Sequence, residues 1–177
     1  IRDRPATWRT PAVVFADGLQ GQMMETVRLP EAERAKPDFS AWAAQGEAKT
    51  RENLVKSIFL DAAAQEVFND HLQRKYEDMQ ADAEAETYLA EDADLLICAF
   101  AIASRVARTT AETCRRKGLK VGCFRPITLN PFPREQLAAA AKGRRIMTIE
   151  LDAGQFADDV RLQLAKSGLG AEAANVM

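Results

Sequence analysis

The feature that most constrains this chain is a continuous apolar run that passes without a break into an amphipathic helix. "LLICAFA", Leu95 to Ala101, shows no alternation of polar and apolar residues. A strand of that kind is covered on both faces, as in a parallel sheet flanked by helices. The helix "IASRVARTTAETCRRKG" follows at once. Ala103, Val106, Ala107, Thr110, Ala111 and Cys114 fall on one stripe, with Arg105, Arg108, Glu112 and Arg115 opposite. Arg115, Arg116 and Lys117 crowd the last turn, where cations complement the helix dipole, and Gly118 is placed to close it. The unit then repeats. "KVGCF" is a strand, "REQLAAAAKG" a helix with Pro133 at its first position, "RRIMTIEL" a strand and "AGQFADDVRLQLAKSG" a helix. Strand and helix alternating at this pace predict a three-layer α/β domain with a mainly parallel sheet and right-handed crossovers.

Ligand sites in such sheets lie beyond the carboxyl ends of the strands. Two segments belong on that edge, "FRPITLNPFP" (Phe124 to Pro133) and "ELDAGQ" (Glu150 to Gln155). Proline fixes φ and removes a backbone donor, so the first of them is a rigid connection that can neither extend the sheet nor start a helix before Pro133. Arg125 and Glu150 are expected to form an ion pair that orders the two loops. The turn Ala101–Ser104 lacks the glycines of a phosphate loop, and neither G-x-G-x-x-G nor G-x-x-x-x-G-K-[ST] occurs, so no nucleotide site is expected there. Asp152, Asp158 and Asp159 around Gly154 read as helix-dipole partners, and their spacing specifies no metal site.

Upstream the pattern weakens. "PAVVFAD", Pro11 to Asp17, reads as a buried strand ended by an Asp-Gly turn. The Gly-, Pro- and charge-rich residues after it read as a long loop or connecting arm. A helix is expected from an Asp61 cap, with Ala64, Phe68, Leu72, Tyr76 and Met79 on one side. The chain's one histidine, His71, reads as a helix-surface or interface residue, since nothing near it offers a triad. Cys98 and Cys123 fall in apolar strands and read as buried free thiols; with Cys114 they form no CxxC, which argues against an iron–sulfur or zinc site and for a reducing cytoplasm. A net charge of −2 gives no general affinity for nucleic acid or anionic membrane, and no apolar run nears the roughly 20 residues of a membrane helix. The opening "IRDRPATWRTP" has no methionine and reads as the middle of a longer chain.

Read in order, "DGLQGQMME", "AEDADLLICAFAIASRVAR", "GLKVGCFRPITLNPFP" and "ELDAGQFADDVRLQL" resemble successive signatures of the alpha subunit of 2-oxoacid:ferredoxin oxidoreductases, most of all the ketoisovalerate branch. The resemblance runs from about Pro11 to Leu164. It implies a transketolase C-terminal-like domain over residues 87–177, a connecting arm and long helix over 31–86, and the remnant of a pyrimidine-binding domain over 1–30. It also implies a complex that oxidatively decarboxylates a 2-oxoacid, forms acyl-coenzyme A and passes electrons to ferredoxin. Thiamine diphosphate, magnesium and iron–sulfur clusters would be held by partner subunits (a thiamine-diphosphate-binding beta, a gamma and a ferredoxin-like delta), and none by this segment, which is expected to be inactive alone. Arg125, Pro126, Thr128, Pro131, Phe132, Glu150 and Gln155 are the expected inter-subunit or inter-domain surface. The alternative for the loop is an internal connection with Phe132 packed back on the core. The tail "GLGAEAANVM" fits poorly to the final strand that the family would add. Two other readings stay open: a flavodoxin-like module that binds a small ligand at its sheet edge, and the C-terminal module of another thiamine-dependent dehydrogenase.

Overall fold

The computed structural model describes residues 7–29, 38–169 and 173–176. The chain forms two compact units, one from Ile1–Val14 with Met24–Asp78 and one from Phe15–Met23 with Met79–Met177.

The first unit is an arm more than a core. Among its described residues Thr50 alone is buried. Its main element is helix α2, Ala62–Asp78, none of whose residues is buried. Asp61 caps it as expected, Oδ2 accepting from the Ala64 amide at 3.2 Å. Phe59 packs on Phe68 with ring centroids 4.9 Å apart, and His71 lies exposed on the helix surface. The strand expected at Pro11–Asp17 does not form. Residues 11–17 pair with no described strand, and Val13, Val14 and Phe15 are each 72% exposed. An apolar run becomes a strand only where neighbouring backbone accepts its hydrogen bonds, and the described sheet offers it none.

The second unit carries the sheet. Helix α1 (Gly18–Gln22) precedes α2 in the chain, and after a single-turn 3₁₀ segment come β1 (Ala85–Tyr88), β2 (Leu95–Cys98), α3 (Ala101–Arg116), β3 (Val121–Pro126), α4 (Arg134–Ala141), β4 (Arg145–Ile149), α5 (Gln155–Lys166) and β5 (Ala173–Val176). The strand order is β1-β3-β2-β4-β5. All neighbours are parallel except β1 with β3, where Ala85 opposes Pro126 and Tyr88 opposes Cys123. The three-layer, mainly parallel α/β fold is therefore as expected. β1 was not legible, because "AETY" is too short and polar to signal a strand. The tail corrects its own expectation: Ala173–Val176 does pair with β4, in register Ile146 with Ala173.

Alternate residues of β2 feed two cores. Leu96 and Cys98 face Leu137 of α4 and Phe156, Val160 and Leu164 of α5. Ile97, and Ala99 just beyond the strand, face Ala103, Ala107 and Ala111 of α3. Three alanines at four-residue spacing let α3 sit close on the sheet, while Val106, expected on that stripe, is 54% exposed. Helix on both faces of a central strand is what the unbroken apolar run required.

The amino edge of the sheet is tied by two arginines. Arg115 donates to the carbonyls of Val121 (2.9 Å) and Leu89 (2.7 Å) and pairs with Asp92 at 2.6 Å, which holds the Asp92 carboxyl below its usual range. Arg144 donates to the carbonyls of Glu91, Ala93 and Ala140. Beneath this turn Gly122 is a packing necessity, since a Cβ there would stand 2.5 Å from the Leu89 oxygen and 2.8 Å from Ala90 Cα. Both are backbone atoms that cannot swing aside. Gly122→Ala should lower the stability of the sheet unit by about 1–3 kcal/mol, read as a shifted urea midpoint. An unchanged midpoint would show that the turn is not held against β3.

Candidate functional site

The chain leaves β2 toward β3 on one side and later returns to β4 on the other. The carboxyl ends of β2 and β4 are therefore the topological switch point, where doubly wound sheets bind ligands. Helices α3 and α5 start from those two ends, and their first amides need acceptors. Neither cap residue can supply one, since Phe100 and Gly154 form no side-chain cap bond.

Two carboxylates supply them instead. Asp17 Oδ2 accepts from the Ile102 amide at 3.2 Å, while its Oδ1 accepts from Gln20 at 2.8 Å and caps α1. Glu150, 1% exposed, accepts the Phe156 amide on Oε2 at 2.9 Å. A side-chain oxygen that accepts an otherwise unpaired amide at a helix start contributes about 0.5–2 kcal/mol. The backbone is bent to suit: Ala101 takes φ +48° as α3 begins, and Gly154 takes φ +106° before α5. A left-handed conformation is easy for glycine and costs alanine about 1 kcal/mol or more. One amide at the start of each of these helices is thus bonded from within the chain.

The expected ion pair between Arg125 and Glu150 is not what forms. Arg125 pairs with Glu86 directly across the β1–β3 ladder, Nη1 to Oε2 at 3.0 Å, because their register places both on one face. Glu150 turns inward to α5. The rigid loop behaves as an internal connection for most of its length. Pro126, Pro131, Phe132 and Pro133 are buried, and Phe132 joins the core with its ring 6.4 Å from that of Phe156. Phe100 stacks on the same Phe156 at 5.0 Å. Burying one such side chain contributes about 1.5–3 kcal/mol. The loop is also pinned at its start, where Ile127 donates to the Glu84 carbonyl at 2.8 Å and Thr128 Oγ1 accepts the Glu84 amide at 3.0 Å. Of the seven expected interface residues, Arg125 and Gln155 are exposed and Thr128 half-buried; the other four lie within the unit.

Residues 93–177 match the family model for pyruvate:ferredoxin oxidoreductase core domain II. Over 158 residues, 88% of this chain, the sequence is 44% identical to the ketoisovalerate oxidoreductase subunit VorB of Methanothermobacter thermautotrophicus and 42% identical to that of Methanothermobacter marburgensis. These matches support a segment of a 2-oxoacid:ferredoxin oxidoreductase. It spans 45% of the length of each of those two relatives. The fold is also similar to that of a 2-oxoglutarate:ferredoxin oxidoreductase from Magnetococcus marinus, at a TM-score of 0.54 and 17% identity over 67% of this chain and 20% of that one. The three-layer, mainly parallel α/β fold expected of such a segment stands.

The remaining candidates have plain placements. Asp152, Asp158 and Asp159 are exposed, and Asp158 pairs with Arg161 at 2.9 Å. Among the described residues no group of three His, Cys, Asp or Glu is arranged to hold a metal. No described helix is long and apolar enough to cross a membrane. Asp17 is the residue that sequence reading missed. Its cap of α1 was legible as Asp before Gly-Leu-Gln, but its reach to Ile102 spans 85 positions and left no local signal.

Cys98 and Cys123 are buried free thiols as expected, and burial pushes both thiols up, Cys123 to about 11 from an ordinary 9.0. Because the folded value exceeds the unfolded one, the contribution is complete below pH 9 and is lost as pH rises through about 11. Stability should therefore fall across that alkaline window, and Cys123→Ala should flatten the fall. An equally steep fall in Cys123→Ala would contradict the assignment.

Proposed function

We propose that this segment is a structural and assembly module of a multisubunit, thiamine-diphosphate-dependent 2-oxoacid:ferredoxin oxidoreductase. The complex would act in the cytoplasm, oxidatively decarboxylating a branched-chain 2-oxoacid to its acyl-coenzyme A and passing the electrons to ferredoxin. In this reading residues 87–177 are the transketolase C-terminal-like domain, 31–86 a connecting arm and long helix, and 1–30 part of a pyrimidine-binding domain. Thiamine diphosphate, magnesium and the clusters sit on beta, gamma and ferredoxin-like delta partners.

The 44% identity to a subunit named for ketoisovalerate supports the branch. The observation that carries the assembly role is the pair of internal carboxylates. Asp17 and Glu150 each take one amide at the starts of α3 and α5, beside the switch point. A rigid edge closed in this way suits a surface held against neighbours, since ordering it on binding costs little. Arg125, Thr128 and Gln155 are the interface residues that this leaves to reach a partner.

The test uses the full-length subunit co-expressed with its neighbours. Coenzyme-A-dependent reduction of a viologen dye is followed with 2-oxoisovalerate, pyruvate and 2-oxoglutarate in parallel. The expected order places 2-oxoisovalerate first, with no turnover by this chain alone. An assembled, thiamine-loaded complex inactive on all three would overturn the proposal and bring forward the small-ligand-binding alternative.

A further inference from the structure

Three arginines line a single cleft on the α3 face of the sheet, although the chain as a whole has a net charge of −2. The cleft holds about 420 Å³ between β1, the end of β3 and the flank of α3. Arg105 and Arg108 come from α3 and Arg125 from β3, while Glu86 is the one carboxylate in the lining. The local charge is thus opposite to that of the molecule. Register explains the gathering: Glu86 opposes Arg125 and Tyr88 opposes Cys123, so these side chains share the face that α3 covers only in part.

Arg108 and Arg125 are positioned and keep donors for a further acceptor. Arg108 stacks over the Tyr88 ring at 4.1 Å, and Tyr88 in turn donates to Glu112 at 3.0 Å. Arg108 also forms a loose, exposed i,i+4 ion pair with Glu112, Nε to Oε1 at 3.8 Å, which is weak enough to be exchanged. Arg125 bonds Glu86 through Nη1, leaving its Nε–Nη2 edge for a second acceptor. That pair is solvent-exposed, 45% and 60%, so exchanging its carboxylate for another costs little.

We propose that this cleft docks an acidic segment of a neighbouring chain, whose Asp or Glu carboxylates engage Arg105, Arg108 and Arg125. The proposal rests on membership of a multisubunit complex. Charge complementarity selects the occupant, because the planar fork of arginine matches a carboxylate in bidentate geometry. Arginine and tyrosine are also the residues that anchor protein interfaces. Small-molecule sites are enclosed and mostly apolar with a few polar groups, whereas this cleft is open along the edge strand and ringed by charge.

The experiment again uses the full-length subunit with its co-expressed neighbours. The triple variant Arg105→Glu, Arg108→Glu, Arg125→Glu should weaken assembly at least tenfold by native mass spectrometry. Wild-type assembly should weaken with salt, and Lys166→Glu on α5 should behave as wild type. The milder Arg105→Gln, Arg108→Gln variant should give an intermediate loss even if the triple variant folds poorly. A photo-cross-linking residue, Ser104→p-benzoylphenylalanine, should capture a partner peptide rich in Asp or Glu. Wild-type-like assembly of both arginine variants, or a captured peptide without acidic residues, overturns the proposal and leaves complex membership intact. Suppression of cross-linking by millimolar pyrophosphate added before irradiation, without loss of assembly, overturns it in favour of a small anion. If the wild-type subunit binds no neighbour, both readings fall.

Discussion

A helix amide that points out of the carboxyl edge of a parallel sheet must find an acceptor, and here the chain supplies its own. The rest of the edge follows from that requirement. Glu150 can reach the Phe156 amide only by turning into the core, which sets α5 against the sheet and places the Phe156 ring between Phe100 and Phe132. Phe132 is held there by a proline-bounded loop whose first residues are bonded to Glu84. Asp17 does the same for α3, and in doing so brings α1 onto the sheet unit. The bonds of these two side chains thus link α1, α3 and α5 at the carboxyl edge of the sheet.

The opposite edge depends on a different constraint. The turn from Leu89 to Asp94 lies so close to β3 that only a glycine fits at position 122. Arg115 and Arg144 then satisfy the carbonyls that this turn exposes. The sheet is tied at its amino end by arginines donating to carbonyls and at its carboxyl end by carboxylates accepting from amides. Between them β2 contributes Leu96 and Cys98 to one core and Ile97 to the other, where Ala99 just beyond the strand joins it.

Much of this was legible. The run Leu95–Ala101 announced a strand buried on both faces, and the helices after it announced themselves by period and by terminal glycines. Legibility ended wherever the decisive partner was distant in sequence. Val13 to Phe15 look like a strand, yet strands exist only in pairs, and the described sheet gives this segment no neighbour. "AETY" looks like nothing, yet β3 offers it a free edge and it becomes β1. Arg125 and Glu150 follow adjacent strands in the sequence pattern, but the register of β1 gave Arg125 a nearer acid in Glu86. The site was the least legible part. The alternation of strand and helix named the edge, while the Asp17 contact at it leaves no trace in local composition.

The most direct test of the closed edge is to titrate the isotope-labelled chain with thiamine diphosphate, coenzyme A and adenosine monophosphate while following its amide resonances. If Asp17 and Glu150 occupy the switch point, the Ile102 and Phe156 amides keep their chemical shifts through millimolar ligand. Saturable shifts at those two amides would show that the edge accepts a ligand, and would contradict the account.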